Sequence, residues 1–416
     1  MNGRRAVGWL LLIGSVWCYG IEAASTKAMQ TPGDVYSEST FGDDLAFLQR
    51  YDAIVVLTDN RNMAKVAVSP AWQGRVMTST AQGDTGRSLG WINREHIASR
   101  KIVAHMNVFG GEERFWIGPE GGQFSIFHGS GKGFGWDNWQ VPPPLDSVPF
   151  ELVTHSRDEV VFRESFPLAN YSGTNFQVSV KRTVRLLDAA AAWARLGLQP
   201  VHHVSLVAYE SNNILTNSGT KPWQKETGLL SIWIAGMHPA SPSSIFIVPI
   251  RSGSPTALGA EATSDYFLPL GPDRLKITNS DVIFRVDARY QSKIGISPKR
   301  SLGKFGSYDP VHDVLTIVLF SQPQGVTDYV KSLWRLQESP FSGDAINSYN
   351  DGPATPGARA FGPFYEMESS SPAAALAPGA SIEHRHLTIH LVGSNRDLDR
   401  ISRAVLGVSL YDASAD

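Results

Sequence analysis

Apolar and polar positions alternate in short runs along most of this chain, and glycine, proline, asparagine and aspartate separate the runs. That layout predicts antiparallel strands at residues 53–57, 64–68, 75–79, 160–166, 176–187, 205–209, 229–234, 244–249, 282–288 and 314–320. Three segments read as helices. The first is 41–50, with Asp43 and Asp44 in the first turn, where carboxylates favour the helix dipole; the others are 189–196 and 326–334. No repeat with a period of about 20–50 residues recurs, and no linker divides the chain; Pro142–Pro144 is only a local stiff connector. Ten or more strands without a break predict one large β domain, residues 26–416, rather than two.

Two further strands stand out in the C-terminal tail, joined through a turn at Pro378-Gly379. In the first, Phe364, Glu366 and Glu368 share one face and Tyr365 and Met367 the other. In the second, Leu387, Ile389 and Leu391 share one face and His384, His386, Thr388 and His390 the opposite one. Paired carboxylates and a histidine row describe either a solvated exterior or the wall of a polar cleft.

Composition adds little to this. Of 416 residues, 42% are hydrophobic and 18% charged, an ordinary globular balance. A net charge of -2 gives no reason to expect nucleic acid or an anionic membrane as partner. Eleven tryptophans and 38 glycines suit either a sugar-binding surface or an aromatic core. The N-terminus is more specific: Arg4 and Arg5, an apolar run over 6–19, then Ala23, Ala24 and Ser25 form the pattern of a cleaved export signal, residues 1–25. The run is too short for a membrane span of about 20 residues, so no stable membrane insertion is expected after cleavage. The adjacent arginines leave the general and the twin-arginine export routes both open. Cys18, the single cysteine, falls inside the signal and leaves the mature chain without thiol chemistry. The expected location is periplasmic or extracellular.

Three stretches carry candidate chemistry. Residues 105–127 place Glu113, Arg114, Trp116 and Glu120 between the pairs Gly110-Gly111 and Gly121-Gly122, which let backbone turn tightly or approach a ligand. The same pattern describes a glycine-rich hairpin with its charges in water. Residues 209–233 set Asn213, Asn217 and Lys225 near Trp223 and Trp233, a mix of amides and aromatic plates suited to a polyol, or to a turn at 217–219 between core strands. The third is the tail with its prelude, Asn347, Asn350 and Asp351. There, partly buried Glu366 and Glu368 on one face would raise the pKa of one of the two, as a general base requires. Lys293, between apolar neighbours, is either a ligand-side ammonium or a surface lysine. His384 and His386 lie two apart on one strand face with no third ligand evident, so no metal or other cofactor is expected. No phosphate-binding glycine loop, G-x-S-x-G elbow or H-E-x-x-H is present.

The tail G-P-F-Y-E-M-E-S-S-S-P-A-A-A-L-A-P-G-A-S-I-E-H-R-H-L-T-I-H resembles the end of aldose 1-epimerase (galactose mutarotase)-like proteins, where a strand bearing the catalytic Glu leads to Pro, then L-x-P-G, then the last long strand. The blocks V-A-V-S-P-A-W-Q-G-R-V-M-T-S, G-G-E-E-R-F-W-I-G-P-E and Y-E-S-N-N-I-L-T-N-S-G are similar to blocks of secreted bacterial relatives that are themselves uncharacterised. The resemblance implies an all-β fold, a large antiparallel β-supersandwich with a few short helices and a sugar cleft on its concave sheet. It puts Glu366 at the epimerase base, with Glu368 as the competing assignment because the spacing to Pro372 differs by one. The mid-chain histidine that supplies the family's general acid has no counterpart in 209–233, where Asn213 and Asn217 stand instead. Glu113, Arg114 or Lys293 would then bind ring hydroxyls or supply the acid. The expected ligand is a carbohydrate, a free aldose or an oligosaccharide end. Isomerisation, cleavage of a glycosidic bond, and sugar binding in the envelope without catalysis all fit this reading.

Overall fold

The computed structural model describes residues 39–267, 269–355 and 357–414; the expected export signal lies outside them. Among the described residues the alternating runs form three antiparallel sheets. The smallest joins β1 (Val55–Thr58), β2 (Lys65–Ser69) and β3 (Arg75–Thr80). A five-stranded sheet runs β13 (Ser292–Ile296), β16 (Ile346–Asn350), β17 (Phe364–Ser370), β9 (Ser231–Pro239) and β4 (Arg114–Gly118).

The ten-stranded sheet begins with β11 (Leu275–Ile277), β12 (Asp281–Arg285), β10 (Ile245–Pro249), β14 (Lys304–Asp309) and β15 (Val314–Phe320). It continues through β18 (Ser381–Val392), β8 (Ser205–Asn217), β7 (Asn175–Leu186), β6 (Glu159–Ala169) and β5 (Glu151–His155). Among the described residues six short α-helices complete the fold: α1 (Phe41–Leu48), α2 (Arg94–Ser99), α3 (Ala189–Leu196), α4 (Pro255–Leu258), α5 (Asn395–Val405) and α6 (Leu410–Ala413). The all-β sandwich expected from the sequence is the architecture found.

The two tail strands lie in different sheets. β17 pairs with β9 and β16, while β18 pairs with β8 and β15. The period-2 faces hold in both. Tyr365 and Met367 pack with Ile294, Ile346, Phe246, Phe305 and Val318, which fastens the five-stranded sheet over one face of the large sheet. Leu387, Ile389 and Leu391 pack on the other side with Trp193 of α3 and Leu398, Ile401 and Val405 of α5. Burying each such side chain stabilises by roughly 1.5–3 kcal/mol.

The histidine face of β18 therefore points into the space between the sheets. His384, His386 and His390 are all buried there, not on a cleft wall. Ser369 Oγ of β17 lies 2.8 Å from both His384 Nε2 and His386 Nδ1. Burial, with His386 nearby, pulls His384 down to about 3; burial and the Arg182 charge do the same to His386. Both rings are neutral struts.

Residues 326–334 are not helical. The segment runs extended alongside 340–343, with Tyr329 N–H donating to Phe341 O and Gly343 N–H to Tyr329 O. Tyr329, Val330 and Leu333 are buried by this pairing, so a helix-like apolar spacing is satisfied without a helix. Helix α5 went unpredicted although Ser394 caps it, accepting from Asp397 N–H, and Leu398, Ile401 and Val405 follow helical spacing. Strand β8 extends eight residues past its predicted end at Tyr209, because Ser211 and Asn213 turn polar side chains inward where a half-buried strand would carry apolar ones.

Candidate functional site

The outer face of the five-stranded sheet floors a cavity of about 530 Å³. Strand alternation selects the side chains of that floor. Arg114 and Trp116 come from β4, Trp233 and Met237 from β9, Lys293 from β13, Tyr349 from β16 and Glu366 from β17. Loops supply the remaining walls, including Glu120, Trp136, Trp139, Tyr266, Trp334, Asp351 and Phe361. A Cβ at Gly121 would lie 2.4 Å from the Leu333 carbonyl oxygen, so glycine there lets the loop after Glu120 close on the segment carrying Trp334.

The charges on the floor are paired. Arg114 Nη2 donates to Glu366 Oε1 at 2.7 Å, and its guanidinium lies 3.8 Å from the Trp116 ring centroid. Lys293 Nζ donates to Glu368 Oε2 at 3.0 Å, and Trp233 Nε1 donates to the same oxygen at 2.8 Å. The ammonium also sits 5.0 Å from the Trp233 ring and 5.6 Å from that of Tyr266. Glu368 is 1% exposed and lies beneath these partners, outside the cavity wall that Glu366 joins.

Burial raises the Glu366 carboxyl to about 7; the opposing pull of Arg114 and Lys293 is partly offset by Glu368 and Glu120. Glu120 is likewise pushed up by burial, against Lys293 and with Glu368. Burial works against the Lys293 ammonium, but Glu368, Glu120 and Glu366 outweigh it and hold the group above its ordinary value. The floor thus combines a carboxyl poised near neutrality with a second raised carboxyl and two fixed cations. That combination can take a proton, give one, and hold a polar ligand against indole faces.

Of the sequence-predicted site residues, Arg114, Trp116, Glu120, Lys293, Asp351 and Glu366 line this cavity. Asp351 accepts from Tyr349 Oη and Gly362 N–H, both at 2.8 Å, and burial raises its carboxyl. Asn347 lines a small adjoining hollow with Lys293 and Asp344, and donates to Tyr266 Oη at 3.1 Å.

The other expected residues lie elsewhere. Glu113 is one position from Arg114 and so faces the inter-sheet layer, where both it and Arg182 are fully buried in an ion pair of 2.7 Å. Asn213 accepts from the same arginine at 2.6 Å. Asn217 clamps a loop, donating to Lys221 O and Leu376 O. Trp223 packs edge-on against Phe176 in the core. Lys225 is half-exposed and pairs with Asp328 at 2.5 Å. His384 and His386 hold Ser369, as described above.

Sequence reasoning missed Trp136, Trp139, Trp334, Tyr266 and Tyr349. The W-D-N-W spacing of Trp136 and Trp139 was a usable signal: a short turn over Trp136–Asn138 brings the two indoles into a stack at 5.2 Å. Among the described residues, no histidine lines the cavity.

No curated protein matches the chain. It is similar to solved structures of a candidate aldose 1-epimerase from Escherichia coli K12 and a galactose mutarotase-like protein from Lactobacillus casei ATCC 334. The first is 13% identical, with a TM-score of 0.49 over 82% of this chain and 99% of that one. The second is 11% identical, with a TM-score of 0.44 over 82% and 100%. A family model described as a family of unknown function, DUF6786, matches residues 39–415, and on that match the chain belongs to DUF6786.

Proposed function

We propose that this protein is exported, binds a carbohydrate in the cavity over the five-stranded sheet and interconverts the anomers of an aldose, with Glu366 as general base. The observation that carries the reading is the position of Glu366: on the cavity wall, raised to about 7 and held by Arg114. Trp136 and Trp334, the partly exposed indoles of the cavity lining, can meet the C–H side of a sugar ring, while Trp116 and Trp139 are buried behind Arg114 and the other aromatic rings. In this reading the Glu366 carboxylate takes the proton from the anomeric hydroxyl while Glu120 gives one to the ring oxygen. The ring C–O bond breaks, the open-chain aldehyde turns about its C1–C2 bond, and the reverse proton transfers close the ring on the other face.

Polarimetry on freshly dissolved α- and β-aldoses tests this directly. Wild type should speed the approach to equilibrium, and Glu366→Gln should lower that rate by at least about 10²-fold. Equal rates in the two would remove the epimerase reading. A second reading, sugar binding without turnover, draws on the absence of a cavity histidine among the described residues and on the pairing of Glu366 with Arg114. Saturable quenching of tryptophan fluorescence by a sugar, with no catalysis in wild type, would select it.

A further inference from the structure

We propose that Glu112, His238 and His390 form a binding site for one zinc-type divalent ion between the two large sheets, separate from the cavity. One donor atom from each lies within 4.8 Å of the others. The three residues are 1–3% exposed and come from distant parts of the chain: the turn before β4, the end of β9, and β18. Glu112 Oε2 meets His390 Nε2 at 2.7 Å, while Glu112 Oε1 is buried with no hydrogen-bond partner. A buried carboxylate oxygen left in that condition costs stability unless something positive meets it.

The donor set fits the ion. Two imidazoles and a carboxylate suit zinc or its first-row neighbours, whereas calcium and magnesium call for oxygen donors throughout. Ligand bonds of about 2.0–2.2 Å set donors roughly 3.3–3.6 Å apart in a tetrahedron, so the three atoms need to move by only about 1 Å. Thr316 Oγ1 lies 2.8 Å from His390 Nδ1. On ligation the ring proton resides on Nδ1 and is donated to that hydroxyl, leaving the Nε2 lone pair for the ion. A hydrogen bond to the Leu89 backbone orients the His238 ring. A hollow of about 20 Å³ bordered by His238, His390, Thr316, Arg87 and Asp309 has room for one water as fourth ligand.

Such an ion would pin the turn carrying Glu112, two residues ahead of Arg114, and the strand that presents Met237 to the large sheet. It departs from the expectation that no metal is bound, which weighed only His384 and His386.

The test uses the full untagged chain, incubated with ZnCl2 or CoCl2 and then dialysed. Elemental analysis should find about one equivalent of zinc. Cobalt should give the visible absorption of a four-coordinate ion, and chelation should lower Tm by more than about 5 °C. His238→Gln and, separately, Glu112→Gln should each lower metal retention at least tenfold. Wild type that retains under about 0.1 equivalent and melts alike with and without chelator overturns the proposal, and so does retention unchanged in both variants. Because these readouts involve no sugar, the site stands or falls apart from the carbohydrate reading.

Discussion

Replacing Glu366 by Gln should stabilise the protein at alkaline pH while abolishing any activity that needs its carboxylate. The folded state holds this carboxyl's proton up to about 7, whereas the unfolded chain releases it near the ordinary 4.5. Between those values the folded state binds more protons than the unfolded one, so this group's contribution falls as pH rises and is fully unfavourable above about pH 7. At about 1.4 kcal/mol per tenfold change, moving from 4.5 to about 7 amounts to roughly 3 kcal/mol. The amide of Gln is close to isosteric with the protonated acid, and its oxygen can still accept from Arg114 Nη2, so the guanidinium keeps a partner. Urea unfolding followed by tryptophan fluorescence should find the two proteins alike at pH 4.5 and the variant more stable by roughly 3 kcal/mol at pH 8. Glu366→Ala is the contrasting case: it strands a buried cation and should cost about 3–5 kcal/mol. A Gln variant less stable than wild type at pH 8 would refute the reasoning, since it would mean that Arg114 outweighs burial and that Glu366 is an ordinary structural carboxylate.

Two more outcomes follow from the same geometry. Lys293→Met removes the cation from Glu368, which is 1% exposed and would keep only the Trp233 N–H. A loss of about 3–5 kcal/mol is expected, and a denaturation midpoint within error of wild type would show that the pair is dispensable. Trp136 is 42% exposed at the cavity rim, so Trp136→Ala should leave Tm within a few degrees while weakening sugar binding by roughly 1 kcal/mol, about fivefold in Kd. Unchanged affinity in a titration with a bound sugar would place the ligand elsewhere.

Strand alternation was legible along the chain because it records which face of a strand meets water and which meets its neighbours. It predicted the sandwich, the run 314–320 to the residue, and the opposed faces of β17 and β18, and the separate helical reading of 189–196 also matches to the residue. Where polar groups are buried in pairs the pattern fails. Ser211 and Asn213 fell past the predicted strand end, and the histidines of β18 read as a solvated exterior or a cleft wall, because composition alone does not distinguish a polar side chain satisfied by a partner from one satisfied by water. Glu113 and Arg114 show the limit most plainly. Adjacent and both charged, they go to opposite faces of one strand, the first to Arg182 between the sheets and the second to Glu366 in the cavity. The sequence by itself determined the class of fold and the face on which Glu366 stands. Tertiary structure decided which charges meet: pairing partners lie as far apart as Arg114 and Glu366, 252 positions along the chain, and only sheet register brings them within hydrogen-bonding distance.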